Sequence, residues 1–141
     1  MKRFLMLLPV IFMLVACDSS SGDDSPRYVK SAKSDLESAL VANIFKDPNF
    51  TCQSIPANND SWSIGCFERV KKPSVFLLFA VYEDAGKANP PFIYKLYAVN
   101  GKARQYANSE ALRMFKIDTD NKITTDIPAV IDAYINKFVE Q

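Results

Sequence analysis

Residues 75–82 form an unbroken apolar run that contains β-branched and aromatic side chains, and this run is the strongest constraint on the fold. Its length and composition predict a strand buried on both faces, at the centre of a sheet. Residues 71–73 break the chain before it, and residues 83–91, with Gly86 and two prolines, predict a loop after it. Both faces of the sheet therefore need cover. Helices can cover one face, and a helix, a curled sheet or a partner can cover the other.

Two shorter strands are predicted before this run. Residues 50–55 form a candidate strand that carries Cys52, and the turn-rich residues 56–60 follow it. Residues 62–70 then alternate in hydropathy, which predicts a strand with two different faces. The alternation places Trp62, Ile64 and Cys66 on one face and Ser63, Gly65 and Phe67 on the other.

A second pair of strands is predicted after the central run. Residues 92–99 alternate, and Asn100-Gly101 is a strong signal for a two-residue hairpin. We therefore expect residues 102–106 to return as a last, partly polar strand. The sheet would be an antiparallel meander of three to five strands.

Helices are predicted on either side of the sheet. Ser25 as N-cap and Pro26 at the first position indicate a helix over residues 27–45, where apolar side chains recur at helical spacing. Asn108 or Ser109 would cap a short helix that ends at Phe115. The fold class is therefore α+β, with an N-terminal helix, the meander and two C-terminal helices.

The last of these helices has the clearest pattern. Thr125 or Asp126 caps it, and Pro128 lies in its first turn, where proline is tolerated. Six apolar side chains share one broad face: Ile127, Val130, Ile131, Tyr134, Ile135 and Phe138.

The N-terminus carries an export signal. Lys2 and Arg3 precede an apolar run over residues 4–15, and Ala16 stands before Cys17. These are the features of a cleaved signal peptide, and the run is too short to cross a bilayer core of about 30 Å. An ordinary signal peptide with an incidental cysteine is one interpretation.

Leu14-Val15-Ala16-Cys17 resembles the lipobox of bacterial lipoproteins, and the resemblance covers residues 1–17 only. It implies a signal peptide over residues 1–16 and lipid, such as diacylglycerol and palmitate, on Cys17. The protein would then be anchored in the cell envelope and face the periplasm. Asp18 resembles the residue that retains lipoproteins in the inner membrane of enteric bacteria. It favours the inner membrane but leaves the choice open.

The mature chain divides into a tether and one domain. Residues 17–26 carry the anchor and a polar, small-residue segment that cannot bury enough apolar surface to order itself. Residues 27–141 would form a single globular domain. With Cys17 lipidated, Cys52 and Cys66 remain, and in an exported chain they are expected to form a disulfide. A redox-active pair is the weaker interpretation, because such pairs usually lie closer together in sequence.

The sequence offers little to catalysis or cofactor binding. It has no histidine, and its four glycines form no phosphate-binding loop. Residues 118–122 contain alternating oxygen-bearing side chains but lack the glycine and the closing glutamate of a calcium loop. We therefore predict no metal, no cofactor and no catalytic residue. Loss of Lys2 and Arg3 brings the net charge from +1 to near −1, which disfavours nucleic acid as a partner.

Four residues are candidates for partner binding: Tyr94, Tyr97, Arg104 and Tyr106. Tyrosine and arginine are enriched at interface hot spots, and here they alternate with lysines on the predicted hairpin. The leading hypothesis is a non-enzymatic, membrane-anchored module that binds an envelope protein or a glycan. The alternatives are a carboxylate-based hydrolase of cell-wall glycan, and a carrier that holds a small ligand or lipid between sheet and helices.

Overall fold

The computed structural model describes residues 24–57 and 61–139. The predicted signal peptide, the lipidation site Cys17 and the predicted tether up to residue 23 lie outside the described residues. Helix α1 comes first, a four-stranded antiparallel sheet follows, and helical segments complete the chain, which confirms the α+β prediction. The elements are α1 (Arg27–Leu40), a π-helical turn (Val41–Phe45), β1 (Phe50–Pro56), β2 (Trp62–Glu68), β3 (Phe76–Glu83), β4 (Tyr94–Ala98), α2 (Gly101–Ala107), a 3-10 helix (Glu110–Phe115) and α3 (Ile127–Phe138).

Strand β3 lies inside the sheet and is buried on both faces, as predicted. The strand order is β1-β2-β3-β4, and each neighbouring pair is antiparallel. Leu77, Phe79 and Val81 pack with α1, α2 and the 3-10 helix on one side, which we name the α1 face. Leu78 and Ala80 point to the opposite side, the α3 face, where α3 provides the cover. The result is a three-layer arrangement with the sheet in the middle.

The β1–β2 pair carries the predicted disulfide. Cys52 stands directly opposite Cys66 in the register, their Cα atoms are 4.0 Å apart, and their sulfur atoms are bonded. Both residues are buried in the core of the α1 face. The bond therefore links two strands at a point where helix α1 covers them.

Helix α1 and its π-helical turn together span the predicted residues 27–45. The N-cap is Pro26 and not the predicted Ser25, and no side chain forms a cap hydrogen bond. The Pro26 carbonyl accepts hydrogen bonds from the backbone N–H groups of Val29 and Lys30. Ser25 is buried, so residues 25 and 26 belong to the folded part of the chain.

The hairpin predicted at Asn100-Gly101 is wrong, because residues 101–107 form helix α2. The side chain of Asn100 explains the change. Its Oδ1 accepts hydrogen bonds from the backbone N–H of Ala103, at 3.0 Å, and of Leu78, at 3.1 Å. Its Nδ2 donates to the carbonyl of Phe76 at 2.7 Å. One side chain thus caps α2 and bonds the backbone of β3, which turns the chain away from the sheet.

The outer edge of β4 is covered by a later segment instead of a fifth strand. Asp118 forms a short parallel bridge with Tyr97. Ala98 N–H donates to the Asp118 carbonyl at 2.9 Å, and Asp118 N–H donates to the Leu96 carbonyl at 3.0 Å. The Asn121 side chain adds a bond to the Ala98 carbonyl. Residues 118–121 therefore satisfy backbone groups that an open edge would expose.

Helix α3 has the face predicted for it. Asp126 is the N-cap and accepts a hydrogen bond from the backbone N–H of Ala129. The six apolar side chains predicted to share a face all lie in or against the core of the α3 face. Within residues 24–57 and 61–139, no helix has the length and apolar character needed to cross a membrane.

Two neighbouring substitutions test whether residues 101–107 form a helix capped by Asn100. We expect Asn100→Ala to lower the free energy of unfolding by about 2–3 kcal/mol, since it removes the cap and two bonds to β3. Gly101→Ala should be neutral or stabilise by about 0.5 kcal/mol, because Gly101 is helical and a Cβ there meets nothing within 4 Å. Urea unfolding of both variants measures this. A large loss of stability in Gly101→Ala would indicate that Gly101 has the positive φ of a hairpin turn instead.

Candidate functional site

The four predicted partner-binding residues do not form one surface. Tyr94 is 1% exposed in the core of the α1 face, and its hydroxyl donates to Asp35 at 2.7 Å. Tyr97 is half-buried on the α3 face. Arg104 and Tyr106 lie on α2, where Tyr106 packs against the core of the α1 face. Tyr94 and Tyr97 lie on opposite faces of the sheet because side chains alternate along a strand. Arg104 and Tyr106 are separated from Tyr97 because residues 101–107 form a helix and not a strand beside β4.

A different feature stands out on the α3 face, where small side chains occupy the centre of the sheet. Ser63 and Gly65 of β2 lie on this face, and Ala80 of β3 stands opposite Ser63 in the register. Ile55 of β1 and Tyr97 of β4 complete the row through Ser63 and Ala80. Because the outer residues of this row are large and the central ones small, a trough runs along β2 and β3.

Tyr134 of α3 fills one end of this trough. Its ring lies over Gly65, where an added Cβ would come within 3.0 Å of the Tyr134 ring and 2.8 Å of the Phe76 ring. The ring centre of Tyr134 is 5.5 Å from that of Phe76 and 6.0 Å from that of Phe67. Its hydroxyl is 2.7 Å from Ser63 Oγ. Glycine at position 65 is therefore required for α3 to approach the sheet.

The rest of the trough is an open cavity of about 300 Å³. Trp62 is among the residues that line it, and it is the single tryptophan of the chain. Among the described residues, the lining contains no aspartate, glutamate, lysine or arginine. The lining also includes Ile55, Ser63, Leu78, Ala80, Tyr82, Val99, Ile123, Thr124, Thr125 and Val130.

The cavity combines apolar surface with a few hydroxyl groups. Its apolar side chains can bury hydrocarbon, and the hydroxyls of Ser63, Thr124 and Thr125 can donate or accept hydrogen bonds. Ser63 has the hydroxyl of Tyr134 as its partner. Burial raises the pKa of Tyr134 above its ordinary value, although its hydrogen bonds with Ser63 and with the backbone of Ile55 and Gly65 act in the opposite direction. Tyr134 therefore stays protonated at neutral pH and does not serve as a base for Ser63.

The described part of the chain contains no group of three or more histidine, cysteine, aspartate or glutamate side chains that could hold a metal ion. No protein-family model matches the chain, and no curated protein or solved structure is significantly similar to it.

Sequence reasoning did not identify the cavity. Its lining comes from both β1 and β2, from β3, from the segment after β4 and from α3, so no single stretch of sequence carries it. One signal was present: Ser63 and Gly65 are the small members of an otherwise bulky β2 and share a face. Two small side chains two residues apart in a strand indicate a close approach or a gap on that face.

The two buried tyrosines predict a loss of stability at alkaline pH. Burial is the largest cause of the raised pKa of both Tyr94 and Tyr134, so the folded state holds these protons more tightly than the unfolded state does. Their contribution is complete below about pH 10 and decreases above it, by up to about 1.4 kcal/mol per pH unit for each tyrosine. Urea unfolding between about pH 8 and pH 11 measures this slope.

We expect Tyr134→Phe to reduce that slope, because one buried phenol fewer must be kept protonated. The unsubstituted protein, unfolded over the same pH range, is the reference. An identical slope in Tyr134→Phe and the unsubstituted protein would contradict the role given to the buried hydroxyl.

Proposed function

We propose that the protein is a non-enzymatic binding module of the cell envelope, held at the membrane by lipid on Cys17. Its cavity between the sheet and α3 binds the apolar part of a small ligand. The observation that carries this proposal is an open cavity of about 300 Å³ whose lining, among the described residues, is uncharged and mostly apolar. Sites for small molecules have this character, and their volumes begin at about this size.

The energetics of the cavity support occupation by hydrocarbon. Leu78, Val99 and Val130 line it with aliphatic surface. Each methylene group transferred from water into such surroundings contributes roughly 0.8 kcal/mol. The hydroxyls of Thr124 and Thr125 can form hydrogen bonds with one polar group of the ligand.

The same lining favours binding over hydrolysis. A carboxylate-based glycosidase needs two acidic groups about 5–9 Å apart in its cleft. The lining of this cavity among the described residues offers neither of them. We therefore place the carrier alternative, a small-ligand or lipid site between sheet and helix, within the proposed binding function.

Binding can be measured with a neutral apolar probe. We expect N-phenylnaphthylamine to bind the mature chain carrying Cys17→Ser and to receive energy from Trp62, which lines the cavity. Ala80→Leu should weaken binding by about tenfold or more, because the larger side chain fills the floor of the cavity. Fluorescence titration gives the affinities, and thermal melting checks the fold.

Ala88→Leu is the matched control, because Ala88 is exposed in the loop between β3 and β4. It should bind the probe as tightly as the unsubstituted chain. If Ala80→Leu does not fold, Val130→Phe blocks the cavity from the helix side. Undiminished binding in a folded, blocked variant would refute the cavity as the site.

The membrane anchor has its own test. We expect Cys17→Ser to abolish lipid attachment, so that the protein is no longer recovered as a processed, acylated species in the membrane fraction. Metabolic labelling with palmitate followed by fractionation measures this. Acylated, processed Cys17→Ser protein would show that the resemblance to a lipobox is misleading. The outcome does not depend on the cavity.

A further inference from the structure

Tyr97 and Lys95 of β4 lie beside Tyr82, a residue that lines the cavity. Tyr82 lines the cavity and is 44% exposed, and its ring lies at 89° to the ring of Tyr97 with 5.3 Å between centres. Lys95 is opposite Tyr82 in the register of β3 and β4. Its Nζ atom lies 5.6 Å from the centre of the Tyr97 ring. A cation is therefore held beside the aromatic rim of an apolar cavity.

Nearby acidic residues in the described part of the chain have other positions or partners. The Asp84 carboxylate accepts hydrogen bonds from the backbone N–H groups of Ala88 and Asn89. Glu83 follows Tyr82 in β3, so its side chain belongs to the opposite face of the sheet. The Asp118 carboxylate accepts a hydrogen bond from the backbone N–H of Asp120. The Asp126 carboxylate caps α3. Among the described residues, the contact of Lys95 Nζ is with the Tyr97 ring, which leaves its N–H donors for another group.

We propose that the cavity takes a single-chain amphiphile with an anionic headgroup, whose tail enters the cavity and whose head lies beside Lys95. This inference rests on the proposed binding function and names its ligand class. The opposite ends of the trough differ in the required way. At one end the lining residue Ser63 contacts the buried Tyr134. At the other end the lining residue Tyr82 is exposed and has Tyr97 and Lys95 beside it on β4.

Charge complementarity selects this occupant over a neutral glycan. A sugar ring would stack on the exposed Tyr82 but would leave the aliphatic interior unfilled and the lysine without a counter-charge. An acyl chain with an anionic head would fill the aliphatic interior and give the lysine a counter-charge. Tyrosine hydroxyls at the rim can also donate hydrogen bonds to an anion.

The test uses decanoate and decanol, which share a chain length and differ in headgroup charge. Each displaces N-phenylnaphthylamine from the mature chain carrying Cys17→Ser, below its aggregation threshold. We expect Lys95→Met to weaken decanoate binding by about fivefold and to leave decanol binding unchanged. Lys95→Arg should retain decanoate binding. Lys102→Met, an exposed lysine on α2 at the other side of the sheet, is the matched control and should change neither.

The outcomes separate this inference from the function on which it rests. If decanoate and decanol lose affinity equally in Lys95→Met, or neither changes, the headgroup inference is overturned while cavity binding stands. If the probe and both amphiphiles fail to bind the unsubstituted protein, the proposed function fails as well. Binding of N-acetylglucosamine oligomers in place of the amphiphiles would also overturn both. The inference is supported if Lys95→Met lowers the affinity for decanoate alone and if this difference becomes smaller as salt is added.

Discussion

The burial of β3 on both faces is the constraint from which the rest of the architecture follows. A strand with apolar residues on each side requires two covering layers, and the chain supplies them unequally. Helix α1, helix α2 and the 3-10 helix cover one face, and α3 covers the other. One helix is about 10–12 Å wide, whereas four strands about 4.8 Å apart present a broader surface. A single helix therefore leaves part of its face open, and the cavity lies in that part.

Small residues and one hydrogen bond determine where α3 lies on its face. Gly65 lets the Tyr134 ring approach the backbone, and the Tyr134 hydroxyl meets Ser63 Oγ at 2.7 Å. Beyond Ser63 the floor continues through Ala80, where no helix side chain as large as Tyr134 fills the space. The interaction that holds the helix in place thus ends where the cavity begins. Removing the hydroxyl would loosen the helix and the closed end of the cavity together.

Periodicity explains which parts of the fold were predictable. The apolar run of residues 75–82, the alternation after Trp62 and the helical spacing in residues 27–45 each reflect burial, so the sheet, its disulfide and α1 follow from them. Asn100-Gly101 misled because the same dipeptide suits a hairpin turn and a helix start. Hydrogen bonds to Leu78 and Phe76, far away in sequence, decide between the two. A pattern in neighbouring residues does not reveal partners that are so far away in sequence. The cavity was missed for the same reason, since its lining joins segments that have no pattern in common.

An unfilled space in a core and a binding site differ in how their surroundings are arranged. An internal packing defect has similar apolar walls on every side, whereas this trough changes character along its length. It begins beside Tyr134, whose pKa burial raises, and passes over aliphatic side chains. It ends at the exposed Tyr82, which has Tyr97 and Lys95 beside it on β4. A symmetrical apolar molecule gains nothing from that change. A molecule with an apolar tail and a negative head gains from every part of it, and in one orientation only. The direction of the polarity gradient is therefore a stronger argument for the ligand class than the cavity volume is.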